Sequence, residues 1–196
     1  MNIGIYIYPQ AEVLDFSGPF EVFSTASRIC TTAEPFKTFL IAENLAPVTA
    51  RGGLNVLPHF SIENHPTLDV LIISGGVYTE EINKLQVLQW IELQSSMTQI
   101  TASVCTGAFL LAAACPNLTG QVTTHWEDAE DLQLKFKHLE VMRDVRWIEQ
   151  GKFITSGGIS AGIDMCLHLV ERLYSTGLAN KTARQMEYNW HTNCNE

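Results

Sequence analysis

The chain has 196 residues, of which 46% are hydrophobic and 17% are charged, and its formal net charge is −9. This length and composition predict one globular α/β domain that spans residues 1–196. An acidic chain without a Lys/Arg cluster disfavours a nucleic-acid partner, because contacts to phosphates need a basic face.

The N-terminal residues run directly into a strand pattern without a positively charged leader. No apolar run approaches the roughly 18 residues that a membrane span needs. We therefore expect no signal peptide, no membrane partner and a cytoplasmic location. The sequence contains five cysteines and no CxxC pair, which is typical of a reducing compartment rather than of a disulfide framework. We expect Cys115 and Cys166 to pack in the core and Cys194 to lie in a polar tail.

The first half of the chain alternates strands and helices. Ile3–Tyr8 predicts a strand, and the segment from Asp15 to Pro19 opens a helix to about Arg28, with Asp15 or Ser17 as its cap. The next predicted elements are a strand, a hairpin, a strand buried on both faces and an amphipathic helix, over Phe36–Ala42, Val48–Pro58, Asp69–Ser74 and Thr79–Ser96. The apolar face of that helix contains Ile82, Leu85, Leu88 and Ile91.

The second half continues the alternation. Its predicted strands are Ile100–Val104, Gln121–Thr124 and a hairpin of Val145–Glu149 with Lys152–Ser156. Its predicted helices are Ala108–Cys115, Trp126–Lys137, about Ile163–Tyr174 and Asn180–Tyr188. This order predicts a parallel sheet with helices on both faces.

The most informative residue is Cys105, which lies between the strand ending at Val104 and the helix from Ala108. We predict a sharp strand-to-helix turn there, with Gly107 relieving backbone crowding. The helix N-terminus directs N–H groups at such a side chain, which favours a thiolate. The same geometry creates a nucleophile in the Gly-x-Ser-x-Gly elbow. The alternative is that Cys105, like most lone cysteines, is a small buried hydrophobe.

Several polar or small residues directly follow the predicted strands. Ligands of an open α/β sheet bind beyond the carboxyl ends of its strands, so we expect these residues to meet. They are Asp15, Gly75-Gly76, Cys105-Thr106, His125-Trp126 and Gly157-Gly158. The N–H groups of Gly75, Gly76 and Thr106 are candidates for an anion hole.

Each of these residues also has a purely structural interpretation. The diglycine suits a tight turn, Asp15 a helix cap, and His125 a buried structural histidine. Asp128, Glu130 and Asp131 are expected to form the solvated face of a helix. No cluster of His, Cys, Asp or Glu has metal-ligand spacing, so we predict no metal and no cofactor.

Five segments of the chain resemble the ThiJ/PfpI superfamily, which has the glutamine-amidotransferase-like flavodoxin fold. These are Val13–Phe23, Ile72–Gly76, Ser103–Ala108, Thr123–Trp126 and Thr155–Asp164. The isonitrile hydratases and the sensor-like domain of AraC-type regulators are most similar, because they commonly combine Asp at the position of Asp15 with a Cys-Thr-Gly elbow. The superfamily's intracellular proteases carry Glu at that position and His directly after the nucleophile. About 22 residues follow Tyr174, too few for a helix-turn-helix module.

The resemblance implies a role for each site residue. Cys105 would be the nucleophile. Asp15 would form a hydrogen bond with its sulfur and transfer protons, and Thr106 would complete the catalytic group and the anion hole. The substrate pocket would be apolar and would contain Phe16, His125, Trp126, Gly157, Gly158 and Ile159. The implied reaction converts a small-molecule isonitrile to an N-formamide through a thioimidate, in a homodimer. The alternatives are a non-catalytic ligand- or redox-sensing protein and another hydrolase or glyoxalase-type activity on the same sulfur.

Overall fold

The centre of the structure is a seven-stranded sheet with one antiparallel edge strand. The computed structural model describes residues 1–32 and 35–192, so Cys194 lies outside the described residues. The strands are β1 (Asn2–Tyr6), β2 (Lys37–Ala42), β3 (Val48–Thr49), β4 (Asn55–Val56), β5 (Phe60–Ser61), β6 (Val70–Ile73), β7 (Ile100–Val104), β8 (Gly120–Val122), β9 (Leu139–Val141), β10 (Trp147–Gln150) and β11 (Phe153–Ser156). The main sheet has the order β10-β11-β7-β6-β1-β2-β5, while β3–β4 and β8–β9 form two small sheets. Only the β10–β11 pair of the main sheet is antiparallel, so the predicted parallel α/β fold is confirmed.

Helices flank this sheet. They are α1 (Val13–Ile29), α2 (Leu85–Met97), α3 (Gly107–Ala114), α4 (Ala129–Lys135), α5 (Ala161–Leu173) and α6 (Thr176–Gln185). Short 3-10 helices occupy Arg51–Gly53, Glu81–Asn83 and Trp126–Asp128. Helices α1, α5 and α6 pack against one another, and α2 packs against α3. Within the described ranges, no helix is long and apolar enough to cross a bilayer.

The middle strands form the core. Every residue of β6, β7 and β11 is buried, as expected for parallel strands covered on both faces. Cys115 and Cys166 are buried in this core, as the sequence predicts. Because β1, β6, β7 and β11 are adjacent and parallel, their carboxyl ends meet at one edge of the sheet.

Helix α1 begins earlier than the sequence predicts. It starts at Val13, and neither Asp15 nor Ser17 caps it; Asp15 lies in its first turn and Pro19 inside it. The start is set by a tertiary contact, because the N–H of the N-cap residue Glu12 donates to the carbonyl of Gly75 at 2.9 Å. This contact ties the beginning of α1 to the end of β6.

The predicted helix Thr79–Ser96 is wrong as a continuous element. It is divided at Lys84, which has an extended backbone, and Leu85 is 73% exposed rather than buried. Glu81 turns inward instead: it accepts a hydrogen bond from the buried Tyr6 hydroxyl and pairs with Lys84 at 3.0 Å. The helix is therefore broken where Tyr6 of β1 and Lys84 hold Glu81 inward. The predicted helix Trp126–Lys137 is likewise a 3-10 turn followed by the shorter α4.

Candidate active site

Cys105 occupies the expected bend between β7 and α3. Its φ angle is +56°, a left-handed conformation that is rare for a residue with a side chain. The bend is held by the Cys105 N–H, which donates to the carbonyl of Ser156 at 3.2 Å. The next helix fits against β6 only because residue 107 is glycine, since a Cβ atom there would lie 2.3 Å from the carbonyl oxygen of Ile73. Cys105 is 7% exposed.

Asp15 reaches Cys105 from the first turn of α1. Its carboxyl group is fully buried, and its two oxygens accept hydrogen bonds of 3.2 Å from the N–H groups of Gly75 and Ile159. A Cβ atom on Gly75 would lie 2.7 Å from both Asp15 Oδ2 and Cys105 Cβ, so the two side chains meet across this glycine. The thiol and the carboxylate share a hydrogen bond. The fold therefore joins two residues that are far apart in the chain.

Burial controls the protonation of this pair. Desolvation raises the pKa of Asp15 from 3.8 to about 7, although hydrogen bonds from Cys105 and Ile159 act in the opposite direction. Desolvation also raises the pKa of the Cys105 thiol, and the negative charge of Asp15 adds to that effect. The raised thiol pKa runs against the expectation of a thiolate in the free protein. The N–H of Thr106 at the start of α3 lowers the thiol pKa, but burial and the carboxylate outweigh it.

The N–H groups predicted for an anion hole are mostly engaged within the protein. The N–H of Gly76 donates to Thr106 Oγ1 at 2.8 Å, and that hydroxyl donates back to the Gly76 carbonyl at 2.8 Å. The N–H of Gly75 holds Asp15. These bonds tie β6 to the bend at Cys105, and the backbone N–H of Thr106 is the donor that faces the sulfur.

A cavity of about 290 Å³ opens beside Cys105 and Thr106. Its other lining residues are Glu12, Arg51, Gly76, Val77, Tyr78, Thr79, His125, Glu127, Asp128 and Ile159. The expected apolar pocket is therefore wrong, because charged groups stand on its wall beside the apolar ones. Within residues 1–32 and 35–192, no group of three His, Cys, Asp or Glu side chains could hold a metal ion.

The residues predicted for the substrate pocket lie in three places. His125 and Ile159 line the same cavity as Cys105. An adjoining cavity of about 460 Å³ is also lined by these two residues and by Trp126, Gly157 and Gly158. Phe16 is buried in the hydrophobic core of the described chain rather than on either cavity wall. Phe16 directly follows Asp15 in α1, and consecutive residues of a helix point in different directions.

Two residues near the thiol were missed in the sequence. Tyr8 is buried, and desolvation followed by the charges of Asp15, Glu81 and Cys105 raises the pKa of its hydroxyl. The sequence predicts Asp128 on a solvated helix face, but its side chain is 31% exposed and lines the cavity beside His125. The spacing of three between His125 and Asp128 is the signal that could have revealed this pair.

Sequence comparison places residues 1–172 within the DJ-1/PfpI family. The chain is 32% identical to the isonitrile hydratase of Pseudomonas putida over 189 residues, which are 96% of this chain and 78% of that protein. It is also 24% identical to the transcriptional regulator GbdR of Pseudomonas aeruginosa over 95% of this chain. This chain spans about half the length of GbdR, since the match covers 50% of that regulator.

Solved structures support the same relationship. A THiJ/PfpI family protein from Pseudomonas syringae matches 99% of this chain and 77% of its own, with a TM-score of 0.85 and 26% identity. Drosophila melanogaster DJ-1beta, at 17% identity, matches 96% of this chain and 98% of its own with a TM-score of 0.81, which shows the shared fold. The matched residues include the whole of the Cys105 elbow and its partners at the sheet edge. The chain therefore belongs to the DJ-1/PfpI family.

Proposed function

We propose that this protein hydrates isonitriles to N-formamides through Cys105 and Asp15. The observation that carries the proposal is the buried carboxyl of Asp15, which is hydrogen-bonded to the thiol and has a pKa raised by burial to about 7. A group that changes charge near neutral pH can both accept and return a proton during one reaction. The identity of 32% to an isonitrile hydratase supports the choice of substrate class.

The first half of the reaction uses the proton that the pair shares. At rest the sulfur is a thiol hydrogen-bonded to the Asp15 carboxylate. As the sulfur attacks the terminal carbon of R–NC, its proton passes to Asp15, which delivers it to that carbon. The product of this half is the thioimidate R–N=CH–S–Cys105, and Asp15 is again a carboxylate. The attack needs no free thiolate at rest, because deprotonation and bond formation proceed together.

The second half adds water to the same carbon. Asp15 accepts one proton from the water, the second water proton ends on the nitrogen, and the C–S bond breaks to release R–NH–CHO. The sulfur recovers its proton from Asp15, so the overall change is the addition of one water molecule. The reactive form requires an ionised Asp15, so we expect the rate to rise as the pH increases through about 7.

The test follows formamide production from a simple aryl isonitrile. Cys105→Ala should abolish turnover, and Asp15→Asn should reduce it by about 10²-fold or more, since it cannot accept a proton. Cys30→Ala is the control, because Cys30 contacts Tyr174 on another part of the protein, and it should keep normal turnover. Normal turnover in Cys105→Ala would disprove the proposal.

A second candidate is a reactive-cysteine sensor without turnover. The match to the transcriptional regulator GbdR over 95% of this chain favours it. If the protein does not act on isonitriles, amides, glyoxals or peptides, and mild peroxide selectively oxidises Cys105 in a mass-spectrometric assay, this candidate replaces the hydratase.

A further inference from the structure

We propose that His125 is a second acid–base group of this site and that Asp128 is the positioning residue that orients it. This inference rests on the proposed hydratase function and names the group that protonates the substrate nitrogen. Both side chains line the cavity that contains Cys105.

The two side chains are held together by local backbone geometry. His125 Nδ1 lies 3.4 Å from Asp128 Oδ2, and the N–H of Asp128 donates to the carbonyl of His125 at 3.0 Å. Glu127 also lies near Nδ1, but at 3.8 Å and with a side chain that is 64% exposed, compared with 31% for Asp128. The better shielded and closer carboxylate is the stronger partner of the imidazole.

The loop after β11 contacts the imidazole ring of His125. A Cβ atom on Gly158 would lie 2.2 Å from His125 Cδ2, so the imidazole rests directly on this glycine. The ring of Trp126 lies next to it, with the centroids 5.7 Å apart. With Nδ1 directed at Asp128, Nε2 is the nitrogen left to exchange protons in the cavity.

The charges around His125 come from several elements. Arg51 and Glu12, on the wall of the Cys105 cavity, pair with each other at 3.3 Å. Arg146, on the wall of the adjoining cavity, pairs with the buried Asp164. The remaining ionisable groups on these two walls, besides Glu127 and Asp128, are Tyr78, Cys105, Arg143 and Asp144. Among all of these, Asp128 and Glu127 are the carboxylates within 4 Å of the ring, so they are the ones to test.

The chemistry requires such a group. When water adds to R–N=CH–S–Cys105, one proton leaves the water and another must reach the nitrogen. The Asp15 carboxylate takes the first, and the His125 imidazolium supplies the second, which gives R–NH–CH(OH)–S–Cys105. As the C–S bond breaks, the hydroxyl proton returns to His125 and the Asp15 proton returns to the sulfur. Atoms and charges balance, and every group regains its starting form.

The experiment compares Asp128→Asn with Glu127→Gln, which remove the same charge from adjacent positions, and with His125→Gln. His125→Gln should lower kcat for an aryl isonitrile by about 10²-fold, since general acid catalysis has that magnitude. Asp128→Asn should lower kcat by about 10-fold with little change in KM, because the imidazole loses the carboxylate that orients it. Glu127→Gln should cause a smaller loss in kcat.

Nitrogen-15 NMR of the His125 ring gives a readout that does not depend on turnover. The neutral ring should carry its proton on Nδ1 in the unsubstituted protein, and Asp128→Asn should remove that preference. Equal effects of Asp128→Asn and Glu127→Gln, or a proton on Nε2 in the unsubstituted protein, would overturn the role of Asp128. Normal turnover in His125→Gln would overturn only the acid–base role, whereas an inactive unsubstituted protein would overturn the hydratase proposal itself and the acid–base role with it.

Discussion

At the scale of single residues, the site is governed by desolvation. The helix N-terminus beside Cys105 lowers the thiol pKa, but burial and the adjacent carboxylate raise it more. The cost of burying two ionisable groups side by side is reduced by sharing a proton. We therefore expect the pair to act as one proton-transfer unit, with neither member working as an isolated nucleophile or base.

The raised pKa of Asp15 predicts a pH-dependent stability. The folded protein binds this proton more tightly than the unfolded chain, so the stabilisation from neutral Asp15 is fully present below about pH 3.8 and is lost as the pH rises through about 7. We expect the contribution of Asp15 to the free energy of unfolding to fall across this window by up to about 4 kcal/mol, at 1.36 kcal/mol per pKa unit. Urea titrations between pH 4 and pH 8 measure it. The free energy of unfolding of Asp15→Asn should fall less over this pH range than that of the unsubstituted protein. An equal fall would contradict the raised pKa of Asp15.

The close packing around Gly75 predicts that a larger residue at this position disrupts the site. In Gly75→Ala the new methyl group would lie 2.7 Å from Asp15 Oδ2, Cys105 Cβ and Thr106 N, so the pair must separate. We expect a loss of about 1–3 kcal/mol in the free energy of unfolding, together with loss of isonitrile turnover. Gly177→Ala is the matched control, because its methyl group would meet only Ser175 Oγ at 3.9 Å. It should stay within about 1 kcal/mol of the unsubstituted protein and retain turnover.

At the scale of elements, tertiary contacts override local patterns. The apolar periodicity of Thr79–Ser96 predicts one helix, but the inward-facing Glu81 divides it. The hairpin of Val145–Glu149 with Lys152–Ser156 is confirmed, because a two-residue turn containing Gly151 at φ +63° is a local signal. The sequence therefore predicts an element well when a local signal such as a turn residue determines its bounds. It predicts an element poorly when a polar contact from a distant part of the chain determines them.

Helix α5 and the loop before it depend on one buried carboxylate. Asp164 is fully buried and accepts hydrogen bonds from Arg146 Nε at 2.7 Å and from the N–H of His191 at 2.9 Å. Arg146→Met leaves that charge without its cation, so we expect a loss of about 3 kcal/mol in the free energy of unfolding. Arg172→Met is the control, since both side chains of its pair with Glu149 are about one-third exposed and the pair should contribute less than about 1 kcal/mol. Chemical denaturation of both variants measures the difference. Equal losses would contradict the larger stabilisation expected from the Arg146–Asp164 pair.

At the scale of the whole molecule, the parallel sheet brings the site together. The carboxyl ends of β1, β6, β7 and β11 share one edge, so the residues after them converge whatever their separation in the chain. Asp15, Gly75 and Cys105 were predicted at this edge and do meet there. The burial of Phe16 in the core was not predictable in the same way, because the orientation of a side chain on α1 depends on how that helix packs.

The family resemblance also predicts a homodimer. We expect light scattering coupled to size-exclusion chromatography to give twice the chain mass of 21.8 kDa. A mass of one chain at micromolar concentration would contradict this prediction. The expected mass is independent of the hydratase proposal, so the two are tested separately.

The sequence alone was sufficient for the parallel fold, the bend at Cys105 and the convergence of Asp15, Gly75 and Cys105 at one sheet edge. It was not sufficient for His125, because β8, the strand before it, lies in a separate two-stranded sheet. Periodicity, glycine placement and the order of strands and helices are local properties, and parallel strands then collect their carboxyl ends. The tertiary structure decided the rest: the raised pKa of the Cys105 thiol, the internal use of the Gly75 and Gly76 N–H groups, and the pairing of His125 with Asp128. Desolvation and hydrogen-bond partners depend on atoms from distant parts of the chain, so no local pattern could specify them.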